Sequence, residues 1–252
     1  MDRHFHCTAC GKCCVGLLPL TLADAVRHAG RFPLAMIWTT VRPGAKSFAL
    51  SRRLGTTMRL PRKQEVAVLV MPTAYIPPSF ACPALAPDGL CGIHADKPSR
   101  CRTMPFYPYR EEEDQADLLI PRKDWACDTS DAAPVVYRDK AIVDRTDFDR
   151  ERADLEGQAP ALRAYADLML KAVPGVADTM AKLAAKPMGG KMVLGFSSFL
   201  RLHKQVDAAQ IAGQQLPVLT EFAARTAGAS DLAEFHRQYL SFAKEMERFV
   251  RR

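Results

Sequence analysis

The chain has 252 residues, is 48% hydrophobic and 25% charged, and carries a formal net charge of +7, a composition that excludes a disordered or fibrous protein and suits one large domain or two modest ones. The positive excess is even: residues 151–252 hold 14 Lys/Arg against 11 Asp/Glu, and residues 1–150 hold 21 against 17. Nucleic-acid binding needs basic side chains gathered on one face, so this distribution argues for a solubilising surface and against a nucleic-acid partner.

In chain order, the polar opening Met1–Cys14 reads as a loop. Thr21–His28 reads as a brief helix, with Thr21 as its N-cap and Gly30 just past its end. The apolar run Glu65–Met71 reads as a buried strand closed by Pro72. Proline is dense from Pro72 to Pro108, which leaves no place for a long helix.

The second half reads as helical. Leu162, Tyr165, Leu168, Met169 and Ala172 share one face of a helix stopped by Pro174, and Val176, Met180 and Leu183 suggest another. Residues 195–212 and 216–227 are expected to supply two more. Leu232, Phe235, Tyr239, Phe242, Met246 and Phe249 recur at steps of three and four in a last amphipathic helix, which Ser230 is placed to cap. These stripes read as core, not as a cofactor pocket. The expected fold is α+β: a small irregular cysteine-rich metal-binding domain with short strands over residues 1–145, then an α-helical region over residues 146–252.

The division follows the cysteines. All eight (Cys7, Cys10, Cys13, Cys14, Cys82, Cys91, Cys101 and Cys127) precede Asp128. The longest apolar run, Val66–Met71, is far short of the ~20 residues that span a bilayer, and Met1–Cys14 does not resemble a secretory leader, so no membrane partner and a cytoplasmic location are expected. In a reducing compartment clustered thiols point to metal ligation or catalysis, not to disulfides.

Cys7-Thr-Ala-Cys10-Gly11 has the form of a metal knuckle. Two thiolates separated by two residues reach one ion across a tight turn, and Gly11 after the second accepts positive φ and leaves N–H groups to point at sulfur. Zinc sites and iron–sulfur clusters both take such a claw plus distant ligands. Cys7, Cys10 and Cys13 match the start of the bacterial ferredoxin spacing, but position 17 is Leu17 where a fourth Cys is needed. Cys13 and Cys14 are neighbours whose side chains should diverge. Either they serve two centres or one is a spare thiol; eight cysteines suffice for two four-cysteine sites.

These residues resemble a known family, the bacterial cysteine-cluster proteins named for Cys-x2-Cys-x2-Cys-Cys, also called YkgJ-like and described as zinc- or iron-chelating. The resemblance runs through Phe5-His-Cys7-Thr-Ala-Cys10-Gly11-Lys-Cys13-Cys14, then Cys82-Pro83-Ala-Leu85 and Gly89-Leu-Cys91-Gly-Ile93-His94, then Lys97-Pro98-Ser-Arg-Cys101-Arg102-Thr-Met104-Pro105-Phe106. His94, Lys97 and Met104 stand where the family usually has Tyr, Arg and Phe. The resemblance implies metal binding by Cys7, Cys10, Cys13, Cys14, Cys82, Cys91 and Cys101, with Cys127 as a later candidate that could equally be a core thiol. It leaves the metal open between zinc and iron, including an iron–sulfur cluster, and gives no reaction.

His94 is a further candidate ligand at Cys91-x2-His94, with packing as the plainer reading; His6 should point away from the Cys7 site; His28, His203 and His236 read as surface or core-edge residues. Arg100 and Arg102 flank Cys101 and suit a site of net negative charge. The leading function is metal binding in a structural, metal-handling or electron-transfer role. The alternative is an iron–sulfur-dependent enzyme such as a protein lysine methyltransferase or an oxidoreductase, seeded by a relative of the motif in proteins that methylate flagellin lysines. No Gly-x-Gly-x-x-Gly, P-loop or nucleophile elbow supports that enzyme, and Pro187-Met-Gly-Gly-Lys191 reads as a loop without phosphate-cradle spacing.

Overall fold

The computed structural model describes residues 2–60, 64–186, 189–203 and 206–250. Strand β1 (Arg3–His4) leads into the cysteine loop and β2 (Leu18–Pro19) leaves it. Helix α1 (Leu22–Arg27) starts where its sequence indicates: the Asp24 backbone N–H donates to the Thr21 hydroxyl at 3.0 Å, satisfying a donor that every helix start leaves open. Thr21→Ala is expected to cost about 1 kcal/mol, read as a lower denaturant midpoint at unchanged slope. An unmoved midpoint would show the cap to be dispensable.

Strand β3 (Leu34–Val41) has no counterpart in the sequence reading, yet it lies in the middle of the principal sheet. Its first five residues are all buried, so both faces are apolar and no alternation marks it. After α2 (Phe48–Leu54) and β4 (Thr56–Arg59), β5 (Glu65–Ala74) pairs antiparallel with β3 from Ala67 to Ala74. β5 continues through Pro72 instead of ending there. The Pro72 carbonyl still accepts from the Leu20 N–H at 2.8 Å. Its missing donor falls on the β2 side, where it limits that short ladder and leaves β5 intact.

Beyond Ala74 the prolines have the expected effect: up to residue 110 the backbone forms loops, 3-10 turns and only the five-residue α3 (Ser99–Thr103). A small second sheet joins β1 to β6 (Val135–Arg138), and β6 to β7 (Ala141–Ile142). It rests on a compact cluster of Phe106, Leu119, Tyr137, Ile142 and Phe148.

The second half departs from the sequence reading. Helix α4 spans Thr146–Ala172, beginning well before Leu162 and passing through Pro160; it stops ahead of Pro174 as expected. Helix α5 is Val176–Ala185. Lys191–Gly195 then forms strand β8, antiparallel to β3, so this half is not purely helical. Pro187 and Met188 of the expected loop lie outside the described residues. Of the stretch 195–212 the first part yields only the four-residue α6 (Ser197–Leu200), and α7 runs unbroken over Ala208–Thr226 through Pro217. An internal proline removes one hydrogen bond, and the buried stripe Ile211, Leu219 and Phe222 outweighs that loss. Helix α8 (Ala233–Val250) buries Tyr239, Phe242 and Met246, while Ser230 lies in a 3-10 turn ahead of it and makes no side-chain cap bond.

The sheet order is β2-β5-β3-β8, with β4 also on β5. One hydrophobic core draws on both halves of the chain: Trp38 on β3 packs against Tyr165 of α4 at 5.5 Å, and Tyr75 stacks on Phe235 of α8 at 4.6 Å. Gln215 of α7 is fully buried and accepts from the Leu34 N–H at 2.8 Å while donating to the Ala29 and Phe32 carbonyls. Those bonds satisfy the turn that launches β3. Among the described residues no helix is long and apolar enough to cross a membrane.

Candidate metal centre

Long-range backbone pairing sorts the cysteines into two groups. The first is closed by a two-hydrogen-bond bridge between His6 and Asp128, whose N–H groups each donate to the other's carbonyl at 2.7 and 3.0 Å. This sets Cys7 beside Cys127, and the Thr8 hydroxyl reinforces the junction by donating to the Ala126 carbonyl at 2.9 Å. The knuckle forms as the sequence indicates. Gly11 takes φ +69°, a conformation glycine adopts without cost. The backbone N–H groups of Lys12 and Ala126 point at the Cys10 sulfur and hold its thiol below the ordinary value. Cys127, pushed up by burial, lies within electrostatic reach of Cys10, Cys7 and Cys13.

The second group forms where the returning chain crosses the first. Val15 bridges Ala81, and the Cys82 N–H donates to the Cys14 carbonyl at 2.8 Å. Cys82 heads a second knuckle: the Ala84 N–H donates to its sulfur at 3.4 Å, and a bridge from Leu85 to Cys91 folds that thiol back beside it. Cys101 arrives on α3. Cys14 lies within electrostatic reach of Cys82, Cys101 and Cys91. Burial, then the nearby Cys82, push the Cys101 thiol up to about 12, and burial also raises Cys82.

Cys13 stands at the junction. The Gly11–Cys14 turn is closed by the Cys14 N–H donating to the Gly11 carbonyl at 3.0 Å. Inside this turn the neighbouring Cys13 and Cys14 thiols interact with each other, which raises Cys13 and lowers Cys14. All eight thiols are free, and Cys7 and Cys13 are exposed. Among the described residues no three His, Cys, Asp or Glu side chains converge closely enough to hold an ion in this arrangement.

Residues 6–128 match a family model described as "CxxCxxCC: Putative zinc- or iron-chelating domain". This segment belongs to the CxxCxxCC family. No curated protein and no solved structure matches the chain. The matched span runs from His6 to Asp128, the two residues of the bridge that closes the first thiol group. The CxxCxxCC segment is thus tied at its ends by its own backbone.

Within that segment the donor chemistry fits a thiophilic ion. Within each group neighbouring thiols disfavour one another's ionisation, Cys10 and Cys7 that of Cys127 and Cys82 and Cys91 that of Cys101, and a bound cation removes that repulsion by favouring the thiolates. Zinc and iron both accept such all-sulfur sets.

His94 is exposed in a 3-10 turn, and His6 is exposed beside its bridge. His28 is not a surface residue. It caps α1 in a buried position with Nε2 unpartnered, its pKa lowered by desolvation. His203 packs on Phe199, and His236 contacts the Ala223 carbonyl through Nδ1.

The two arginines differ. Arg102 is committed to the Lys97 and Ala95 carbonyls at 3.1 and 2.6 Å and braces the turn before α3. Arg100 is buried, paired with Glu151 of α4 at 3.4 Å, donates to the Phe106 carbonyl, and lowers the Cys101 pKa. Sequence reasoning missed two further cations, Lys97 near Cys13 and Arg31 near Cys82. Neither adjoins its thiol in the chain.

Proposed function

We propose that this chain chelates zinc or iron through its clustered cysteines, at two four-thiol sites. Cys7, Cys10, Cys13 and Cys127 form one, and Cys14, Cys82, Cys91 and Cys101 form the other. The observation that carries this reading is the two sets of backbone bridges, one bringing Cys7 beside Cys127 and the other Cys14 and Cys91 beside Cys82, each with a knuckle that aims N–H groups at one sulfur. Loading requires Cys13 to turn from Cys14 toward Cys10. A bound ion would supply positive charge and cross-links where loops hold little core of their own. Residues 1–145 are the metal-binding part in this account, and residues 146–252 are the helical part, which lends β8 to the sheet.

The experiment is anaerobic purification followed by metal analysis. Brown protein with iron and acid-labile sulfide identifies iron–sulfur centres, and colourless protein with stoichiometric zinc identifies zinc sites. Protein free of both, and unable to take up either when reconstituted, would sink the proposal.

A further inference from the structure

A second feature lies on the principal sheet, and none of the eight cysteines lines it. The odd-numbered residues Ile37, Thr39 and Val41 of β3 and Leu69, Met71 and Thr73 of β5 point to one face, as strand alternation requires. Ser47 and Ser51 at α2 and the rings of Tyr107 and Tyr109 line the rest of a half-open cavity of about 300 Å³. That volume and an apolar lining with few polar groups are typical of small-molecule sites.

Two side chains give this cavity a direction. Ser51 is 1% exposed and its hydroxyl has no hydrogen-bond partner. Helical hydroxyls elsewhere in the chain do find one: Thr103, Thr220 and Thr226 each donate to the carbonyl four residues back. A buried hydroxyl without a partner is uncommon, and this one belongs to a residue lining the cavity. Lys191, the first residue of β8, lines the same cavity opposite Thr39 and is exposed. Among the described residues no carboxylate pairs with it.

We propose that this cavity binds a small organic anion with an apolar body. The body lies along Ile37, Leu69 and Met71, a polar atom meets the Ser51 hydroxyl, and the anionic group meets Lys191. The inference is independent of the metal reading.

Fluorescence titration of the purified 252-residue protein with anilinonaphthalene sulfonate, an aromatic anion that brightens in apolar surroundings, tests it. Saturable binding at one site is expected, with the near-UV circular dichroism of the native fold retained. Ser51→Leu fills the cavity from the helix side and should abolish binding while leaving the melting temperature unchanged or raised. Lys191→Glu should weaken the sulfonate about fivefold, the size of an exposed charge interaction, and leave the uncharged analogue phenylnaphthylamine unaffected. Non-saturating binding, or wild-type affinity in folded Ser51→Leu, would overturn the proposal. If Ser51→Leu does not fold, the Lys191→Glu comparison decides, and equal effects on both probes would refute the anion assignment.

Discussion

Arg100→Ala is expected to lower the stability of this protein by about 3–5 kcal/mol, the cost of leaving a buried charge without its partner. Arg100 and Glu151 are both almost wholly buried. The guanidinium also donates to the Phe106 carbonyl and lies over the Tyr107 ring at 5.5 Å. Removing it strands Glu151, whose carboxyl burial already holds above the ordinary range while Arg100 pulls it back. Losing Arg100 raises that carboxyl further. A carboxyl with a raised folded-state pKa is penalised once the unfolded chain has ionised, so the deficit of the variant should grow as pH rises through the raised Glu151 range and shrink as pH falls below it. Chemical denaturation at several pH values measures this. The double variant Arg100→Met with Glu151→Leu should recover most of the loss, because replacing both partners removes the stranded charge. A single-variant loss under about 1 kcal/mol, comparable with a surface pair, would show that Arg100 does not anchor α3 to α4.

Chelation is expected to loosen the cysteine loops while the sheet stands. The described backbone from Cys7 to Leu17 and from Phe80 to Arg102 is held by isolated bridges, turns and one five-residue helix. β3, β5, α4, α7 and α8 share an extensive core. Metal binding to all-cysteine sites carries roughly 10–16 kcal/mol in small zinc domains, where it is also folding energy. Hydrogen exchange before and after chelation should show protection lost at Cys82, Gly92 and Asp128, whose N–H groups close the loops, and retained at β3 and β5. Equal loss in loops and sheet would mean that the metal supports the whole fold; unchanged exchange everywhere would make the centres peripheral.

The sequence disclosed the local features and concealed the long-range ones. The Thr21 cap, the apolar run beginning at Glu65, the stripe of α8 and the Gly11 knuckle are written in a few adjacent residues, and each forms. β3 was hidden because burial on both faces erases alternation, and β8 because Lys191–Gly195 leads straight into the helical spacing of Phe196, Phe199 and Leu200. The start of α4 and the full length of α7 were not legible, because Pro160 and Pro217 lie inside those helices, where tertiary packing outweighs one lost hydrogen bond. The thiols themselves were legible. Their sorting was not, because it depends on pairings such as His6 with Asp128 that link distant parts of the chain.

Metal content of the Cys10→Ser and Cys101→Ser variants, purified beside the unsubstituted protein, tests the central claim most directly. Cys10 belongs to one proposed site and Cys101 to the other. The account predicts that each variant loses about half of the bound metal and that the double variant loses nearly all of it. Full retention in both single variants would contradict ligation by these cysteines, and complete loss in either alone would contradict two separate sites.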